Sequence, residues 1–166
     1  MGPLAELLAT DQRQALEFFV LQLQEISGPV VDQQELLYNA SVLAHHALVS
    51  TAADFDLASP ATLGAVFDHF VVDGGVRDDA VIMEAAGAQC LLLAGFFEDQ
   101  MRRRHNIRWY AHLGASFFGR AAAAEAVAEK ARLLGSIGVN FERWRRRHAL
   151  LSRTLRTQPY LLDCRQ

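Results

Sequence analysis

The sequence has only two cysteines, four prolines and no long hydrophobic run. The two cysteines, Cys90 and Cys164, are too few for a disulfide framework, which favours a reduced, cytoplasmic protein. The longest unbroken apolar run, residues 90–97, is much shorter than the roughly 20 residues that span a bilayer. The first ten residues contain no Lys or Arg, unlike a secretory signal. These absences exclude a disulfide-rich secreted domain and indicate a cytoplasmic protein outside the membrane.

The scarcity of proline and glycine leaves room for long helices. Hydrophobic residues make up 51% of the 166 residues and charged residues 21%, a globular composition that can bury a core of its own. We therefore expect a single helical domain over residues 1–166. No stretch alternates apolar and polar residues in the two-residue period of a strand, and no internal repeat is evident. The pattern therefore argues against a β-sheet and against a solenoid.

Apolar residues recur at helical spacing, which predicts an all-α bundle of about six helices. We place them at residues 11–26, 33–52, 60–73, 79–104, 107–134 and 138–157. The fourth helix is apolar nearly all round, which is typical of a helix surrounded by others. With the fifth it should form a central apolar hairpin. Four residues of this hairpin are expected to be nearly fully buried: Leu92, Phe96, Leu113 and Phe117.

The hairpin contains the most distinctive stretch of the chain, LLLAGFFEDQMRRRHNIRWYAHLGASFFGRA, residues 91–121. It joins a long apolar helix end, an arginine cluster, an aromatic pair and a second helix with spaced glycines. This stretch resembles segments of small uncharacterised helical proteins from high-GC bacteria. The resemblance implies a bacterial origin and brings no activity with it.

The charges are strongly segregated along the chain. Residues 1–101 contain two basic residues against fifteen acidic ones, whereas residues 102–166 contain fourteen basic residues against four acidic ones. Three interpretations follow: the two parts neutralise each other within one chain, they meet between two copies or with an acidic partner, or the basic part binds nucleic acid. Two clusters carry the basic charge: Arg102, Arg103, Arg104 and Arg108, then Arg143, Arg145, Arg146 and Arg147.

Nucleic-acid binding is the less favoured partner for these clusters. The chain as a whole carries a formal net charge of −3, and its acidic part would repel a phosphate backbone. No helix-turn-helix, zinc-finger or RNA-binding signature is apparent either. A protein partner or a second copy fits the charge pattern better than DNA or RNA.

No residue pattern in the sequence indicates catalysis, a cofactor or a metal. None of the six histidines is three or four residues from another, the spacing that lets two helical side chains share an ion. The candidate for a small-ligand or metal-binding bundle is a pocket near Glu84, an acid in the apolar part of the fourth helix. Its other predicted members are Tyr38, His45 and His46. We therefore expect a non-enzymatic protein and keep ligand binding as an alternative.

The last predicted helix carries an apolar seam that suggests an interface. The seam comprises Phe141, Trp144, His148, Leu151 and Leu155. A terminal helix has fewer neighbours to cover such a seam, so we predict that it lies at a homodimer interface. The resulting functional expectation is a bacterial protein-interaction or regulatory module that self-associates, with nucleic-acid binding and small-ligand or metal binding as alternatives.

Overall fold

The computed structural model describes residues 3–52, 79–103 and 105–157. The predicted helix at 60–73, Arg104 and Cys164 lie outside the described residues. Within them the chain is helical and contains no strand, so the all-α prediction is confirmed. The helices are α1 Pro3–Ser27, α2 Gln33–Ala52, α3 Ala80–Leu91, α4 Glu98–Met101, α5 Ile107–Ala124, α6 Ala128–Val139 and α7 Phe141–Thr157, with a π-helical segment, Leu92–Phe96, between α3 and α4.

The helix boundaries follow from local hydrogen bonding. Gly28 takes a positive φ of 83°, and its N–H bonds to the carbonyl of Gln24, which ends α1 as the Gly-Pro pair predicts. The Asp32 carboxylate accepts the N–H of Glu35 at the start of α2. Asp79 and Asn106 cap α3 and α5 in the same way.

Two predicted helices prove to be interrupted. The fourth contains a π turn, in which the N–H of Phe97 bonds to the carbonyl of Leu92. The fifth breaks at residues 125–127, where Glu125 and Val127 take extended conformations. The break lets α6 fold back onto α5 and bury its own apolar residues, Leu134 and Ile137. Burial of these residues outweighs the high helix propensity of the alanine run before the break.

The predicted central hairpin is present as the α3–α5 pair, which forms the most extensive helix contact among the described residues. Two glycines allow the close approach: a Cβ on Gly87 would meet the Phe118 ring, and one on Gly114 would meet Phe141 and Cys90. Leu92 and Phe117 are buried as predicted. Phe96 and Leu113 are only partly buried, because they flank the buried stripe instead of lying at its centre.

The last helix, α7, packs against the π segment and contacts α1 and α5. Gly95 makes this contact close, since a Cβ there would lie 2.9 Å from Cβ of His148 and 3.0 Å from the carbonyl oxygen of Arg145. The fold therefore places α7 at the junction between the first helices and the central hairpin.

In the three described stretches, no helix has both the length and the apolar character needed to cross a membrane.

Candidate binding sites

The apolar seam of α7 is covered within the chain. Phe141, Trp144, His148 and Leu151 are each at most 2% exposed, and Leu155 is partly buried against the core. The argument that a terminal helix has too few neighbours is wrong for α7, because the π segment, α1 and α5 all contact it. The seam is therefore part of the core and offers no apolar surface to a second copy.

The four residues of the predicted ligand pocket do line one cavity, between α2 and α3. This α2–α3 cavity has a volume of about 330 Å³ and a mainly apolar lining. Burial raises the pKa of Tyr38, and its hydroxyl donates a hydrogen bond to Glu84, whose charge raises that pKa further. Glu84 also pairs with Lys130 at 3.4 Å. The arrangement suits a small, neutral and largely apolar ligand. The polar residues of the lining are Tyr38, His45, His46 and Glu84 together with Ser41 and Gln89.

The two arginine clusters converge on a single surface groove. This Arg groove has a volume of about 870 Å³ and lies where the start of α5 meets the α6–α7 junction. Its charged lining residues are Arg102, Arg108, Arg145, Arg146, Glu98 and Glu142, with His105 and His112 beside them. Its apolar lining includes Ile107, Ala111, Val139 and Phe141. Arg103, Arg143 and Arg147 lie outside the groove.

The neighbouring arginines of the second cluster have different roles. Arg145 is only 11% exposed in its side chain and bonds twice to Glu142, at 2.6 and 2.9 Å. It also donates to the carbonyl of Ala94 in the π segment at 3.1 Å. The bonds to Glu142 raise the pKa of Arg145, and they lower the pKa of Glu142. Arg145 is thus a structural clamp between α7 and the π segment.

The remaining arginines of the groove face solvent. The side chain of Arg146 is 75% exposed although its Nε lies 3.2 Å from Glu142, and that of Arg102 is 60% exposed while it pairs with Glu98. Arg108 is exposed and has no carboxylate within 4 Å among the described residues. An incoming anionic group can therefore reach these three guanidiniums.

Part of the charge segregation is neutralised within the chain. Glu98 and Asp99 pair with Arg153 at 3.2 Å, and Asp99 also pairs with Arg156 at 3.5 Å. The hydrogen bond from Arg153 is the main cause that lowers the pKa of Asp99. Intrachain pairing of the acidic and basic parts is thus confirmed for these residues. Two exposed acids of α1, Glu17 and Glu25, form no ion pair with any residue that the structure describes.

Replacement of Arg145 should test its structural role against that of its neighbour. We expect Arg145→Ala to lower the free energy of unfolding by about 2–3 kcal/mol, because it removes charge-assisted hydrogen bonds at a partly buried site. Arg146→Ala should change it by less than about 0.5 kcal/mol, since its ion pair is solvent-exposed. Urea unfolding of both variants measures the difference, and equal losses would contradict the assignment.

A further cavity is lined by Glu35, near the start of α2. Glu35 is 7% exposed, and its Oε1 accepts hydrogen bonds from Asn140 and from the indole of Trp144, both at 3.1 Å. The cavity has a volume of about 250 Å³. Its other lining residues are Ser27, Val30, Val31, Asp32, Arg143 and Arg147. No local sequence pattern marks this site, because its members come from distant parts of the chain, the α1–α2 region and the start of α7.

Metal binding finds no support in the described part of the chain, where no group of three or more His, Cys, Asp or Glu residues could hold an ion. Cys90 is fully buried, and burial raises the pKa of its thiol to about 12. A thiol in that state is not a nucleophile at neutral pH.

Comparisons with protein-family models, curated proteins and solved structures return no match.

Proposed function

We propose that this protein is a non-enzymatic interaction module that self-associates, with the acidic face of α1 of one copy in the Arg groove of the other. The observation that carries the proposal is the convergence of both arginine clusters on one groove. Three solvent-facing guanidiniums, those of Arg102, Arg108 and Arg146, surround it. Such a groove favours an acidic surface of matching size.

The chemistry of the groove is mixed, which favours a protein surface over a bare anion. Val139 is 87% exposed at the groove although it is a large apolar residue. The partner surface should therefore offer an apolar residue between its acids. An apolar contact at the centre would supply affinity, while the charges would set orientation and association rate.

The α1 helix presents such a surface. Glu17, Leu21 and Glu25 follow one another at four-residue spacing and are all exposed, with Leu21 69% exposed. Neither glutamate pairs with a base among the described residues. Arg13, one turn earlier, makes the N-terminal end of this face basic, so we assign the contact to the part from Glu17 to Glu25.

Sedimentation velocity tests the proposal. We expect a dimer at high micromolar concentration and low salt, which weakens as the salt concentration rises because exposed charges are screened. Glu17→Arg with Glu25→Arg should raise the dissociation constant at least about tenfold, and so should Arg108→Glu with Arg146→Glu. The matched controls are Glu129→Arg on α6 and Arg120→Glu on α5, because both residues are exposed and lie outside the groove. These controls should leave the dissociation constant of the dimer unchanged.

Two results would overturn the proposal. The first is a wild-type protein that stays strictly monomeric at high micromolar concentration and low salt. The second is submicromolar binding of mixed DNA or RNA at physiological salt that disappears in the Arg108→Glu, Arg146→Glu variant, measured by fluorescence anisotropy. That second outcome would assign the groove to nucleic acid.

A second candidate function rests on the α2–α3 cavity, because all four residues predicted for a ligand pocket line it. Its mainly apolar lining suits a small aromatic or aliphatic ligand with one polar group. The substitution Val42→Phe should fill this cavity. Binding is measured by NMR, as changes in the protein's chemical shifts when small aromatic fragments are added. Fragment-induced chemical-shift changes at Tyr38 and Ala88 that disappear in the Val42→Phe variant would support the candidate function. Changes of the same size in the wild type and the variant would contradict it.

A further inference from the structure

The Glu35 cavity contains a buried acid whose charge has no cation in contact. Among the described residues, no Lys, Arg or His nitrogen lies within 4 Å of its carboxylate. Oε1 is already saturated by two neutral donors, Asn140 and Trp144. Oε2 accepts no hydrogen bond from the described residues. It is also not fully enclosed by protein atoms. It therefore reaches the cavity that Glu35 lines, and a buried carboxylate strongly favours a cationic partner.

Two arginines, Arg143 and Arg147, also line this cavity. Arg143 is exposed, and the guanidinium of Arg147 lies 4.5 Å from the centre of the Trp144 ring. Neither arginine has a carboxylate within 4 Å among the described residues. Burial and the charge of Arg143 lower the pKa of Arg147, and the charge of Glu35 offsets this in part. An anion beside the two guanidiniums would relieve the repulsion between them.

We propose that this cavity binds a small zwitterion, with its ammonium group on Glu35 and its carboxylate on Arg143 and Arg147. A free amino acid has this chemistry. Asp32 and Glu35 balance the two arginines, so a ligand with both charges fits better than a simple cation or anion. The volume of about 250 Å³ has room for a molecule of the size of a free amino acid.

Isothermal titration calorimetry with three kinds of probe tests the inference. The probes are the twenty amino acids, a diamine that offers only ammonium groups, and succinate, which offers only carboxylates. We expect at least one amino acid to bind, with the diamine and succinate at least about tenfold weaker. The result that would overturn the inference is either no amino-acid binding up to millimolar concentration or equal binding of a single-charge probe.

Two variants separate binding from a purely structural role of Glu35. Glu35→Gln retains an amide oxygen that can accept from Asn140 and Trp144, so the fold should persist while amino-acid affinity falls at least about tenfold. Arg143→Gln changes an exposed residue and should weaken binding similarly; Arg120→Gln on α5 is its matched control. Full affinity in both site variants would contradict the assignment. None of these changes touches the Arg groove or the acidic face of α1, so the result is independent of self-association.

Discussion

Replacement of Gly114 by alanine is expected to destabilise the protein by about 3 kcal/mol, the upper end of the usual cost of overpacking a core. A Cβ at this position would lie 2.5 Å from Cζ of Phe141 and 2.7 Å from Cβ of Cys90. Cβ of Cys90 is fixed by the backbone of α3, and the ring of Phe141 on α7 is buried and can turn away only by displacing its core neighbours. For a chain of this length, the melting temperature should fall by roughly 6–12 °C.

The matched control lies on the same helix. Gly119 is exposed on α5, and a Cβ there would meet no atom within 4 Å. Gly119→Ala should therefore stabilise the protein by about 0.5–1 kcal/mol, because alanine loses less backbone entropy in a helix. Thermal and urea unfolding of both variants should give opposite signs. A Gly114→Ala variant as stable as the wild type would show that α3, α5 and α7 do not pack tightly around Gly114.

The second large effect is the pH dependence contributed by His148. This histidine is fully buried, and burial lowers its pKa from 6.5 to about 3. Asn39 donates its amide to the carbonyl of Glu35, so its oxygen must accept from Nε2 of His148 at 2.8 Å. Burial keeps the imidazole neutral in the folded protein, so its one proton is on Nε2. Nδ1 carries no proton and has no hydrogen-bond partner among the described residues.

Below pH 6.5 the unfolded chain takes up a proton at His148 and the folded chain does not, until the pH approaches 3. The stability contributed by this residue is fully present above pH 6.5 and falls by about 1.4 kcal/mol per pH unit as the pH drops through that window. His148→Gln cannot titrate. The difference in unfolding free energy between wild type and variant should narrow at that rate between pH 6.5 and 4.5, as measured by urea unfolding.

Other acid-sensitive groups do not obscure this comparison. Asp99 and Glu142 have lowered pKa values, so their contributions are also lost on acidification, but equally in both proteins. A difference between wild type and His148→Gln that stays constant from pH 7 to 4.5 would show that His148 is protonated in the folded state. The buried Asn39–His148 pair would then need a different description.

The helices could be predicted because they depend on local patterns. Asp79, Asn106 and Gly28 mark helix ends through hydrogen bonds with residues two to four positions away. The α3–α5 hairpin could be predicted because both helices carry broad apolar faces. The π turn could not be predicted, since it depends on the Ala94 carbonyl accepting a hydrogen bond from Arg145, far along the chain. The break at residues 125–127 could not be predicted either, since it depends on α6 packing back onto α5.

The sites were predicted unevenly for the same reason. The α2–α3 cavity was predicted because Glu84 interrupts an apolar helix and needs a polar partner, which Tyr38 provides. The seam of α7 was misassigned because its pattern shows that one face is apolar but not what covers that face. The run Arg145–Arg147 reads as a uniform basic patch, yet its members form a clamp, a solvent-facing charge and a contact over Trp144.

The most direct test of self-association is a mixing experiment. The variant Glu17→Arg with Glu25→Arg reverses the acidic face of α1, and Arg108→Glu with Arg146→Glu reverses the groove. In a two-fold dimer, each variant alone brings like charges together, whereas one copy of each restores opposite charges at both contacts. Sedimentation velocity should show two monomeric variants that form a dimer on mixing. Variants that remain monomeric when mixed, beside a wild type that dimerises, would contradict contact between α1 and the Arg groove.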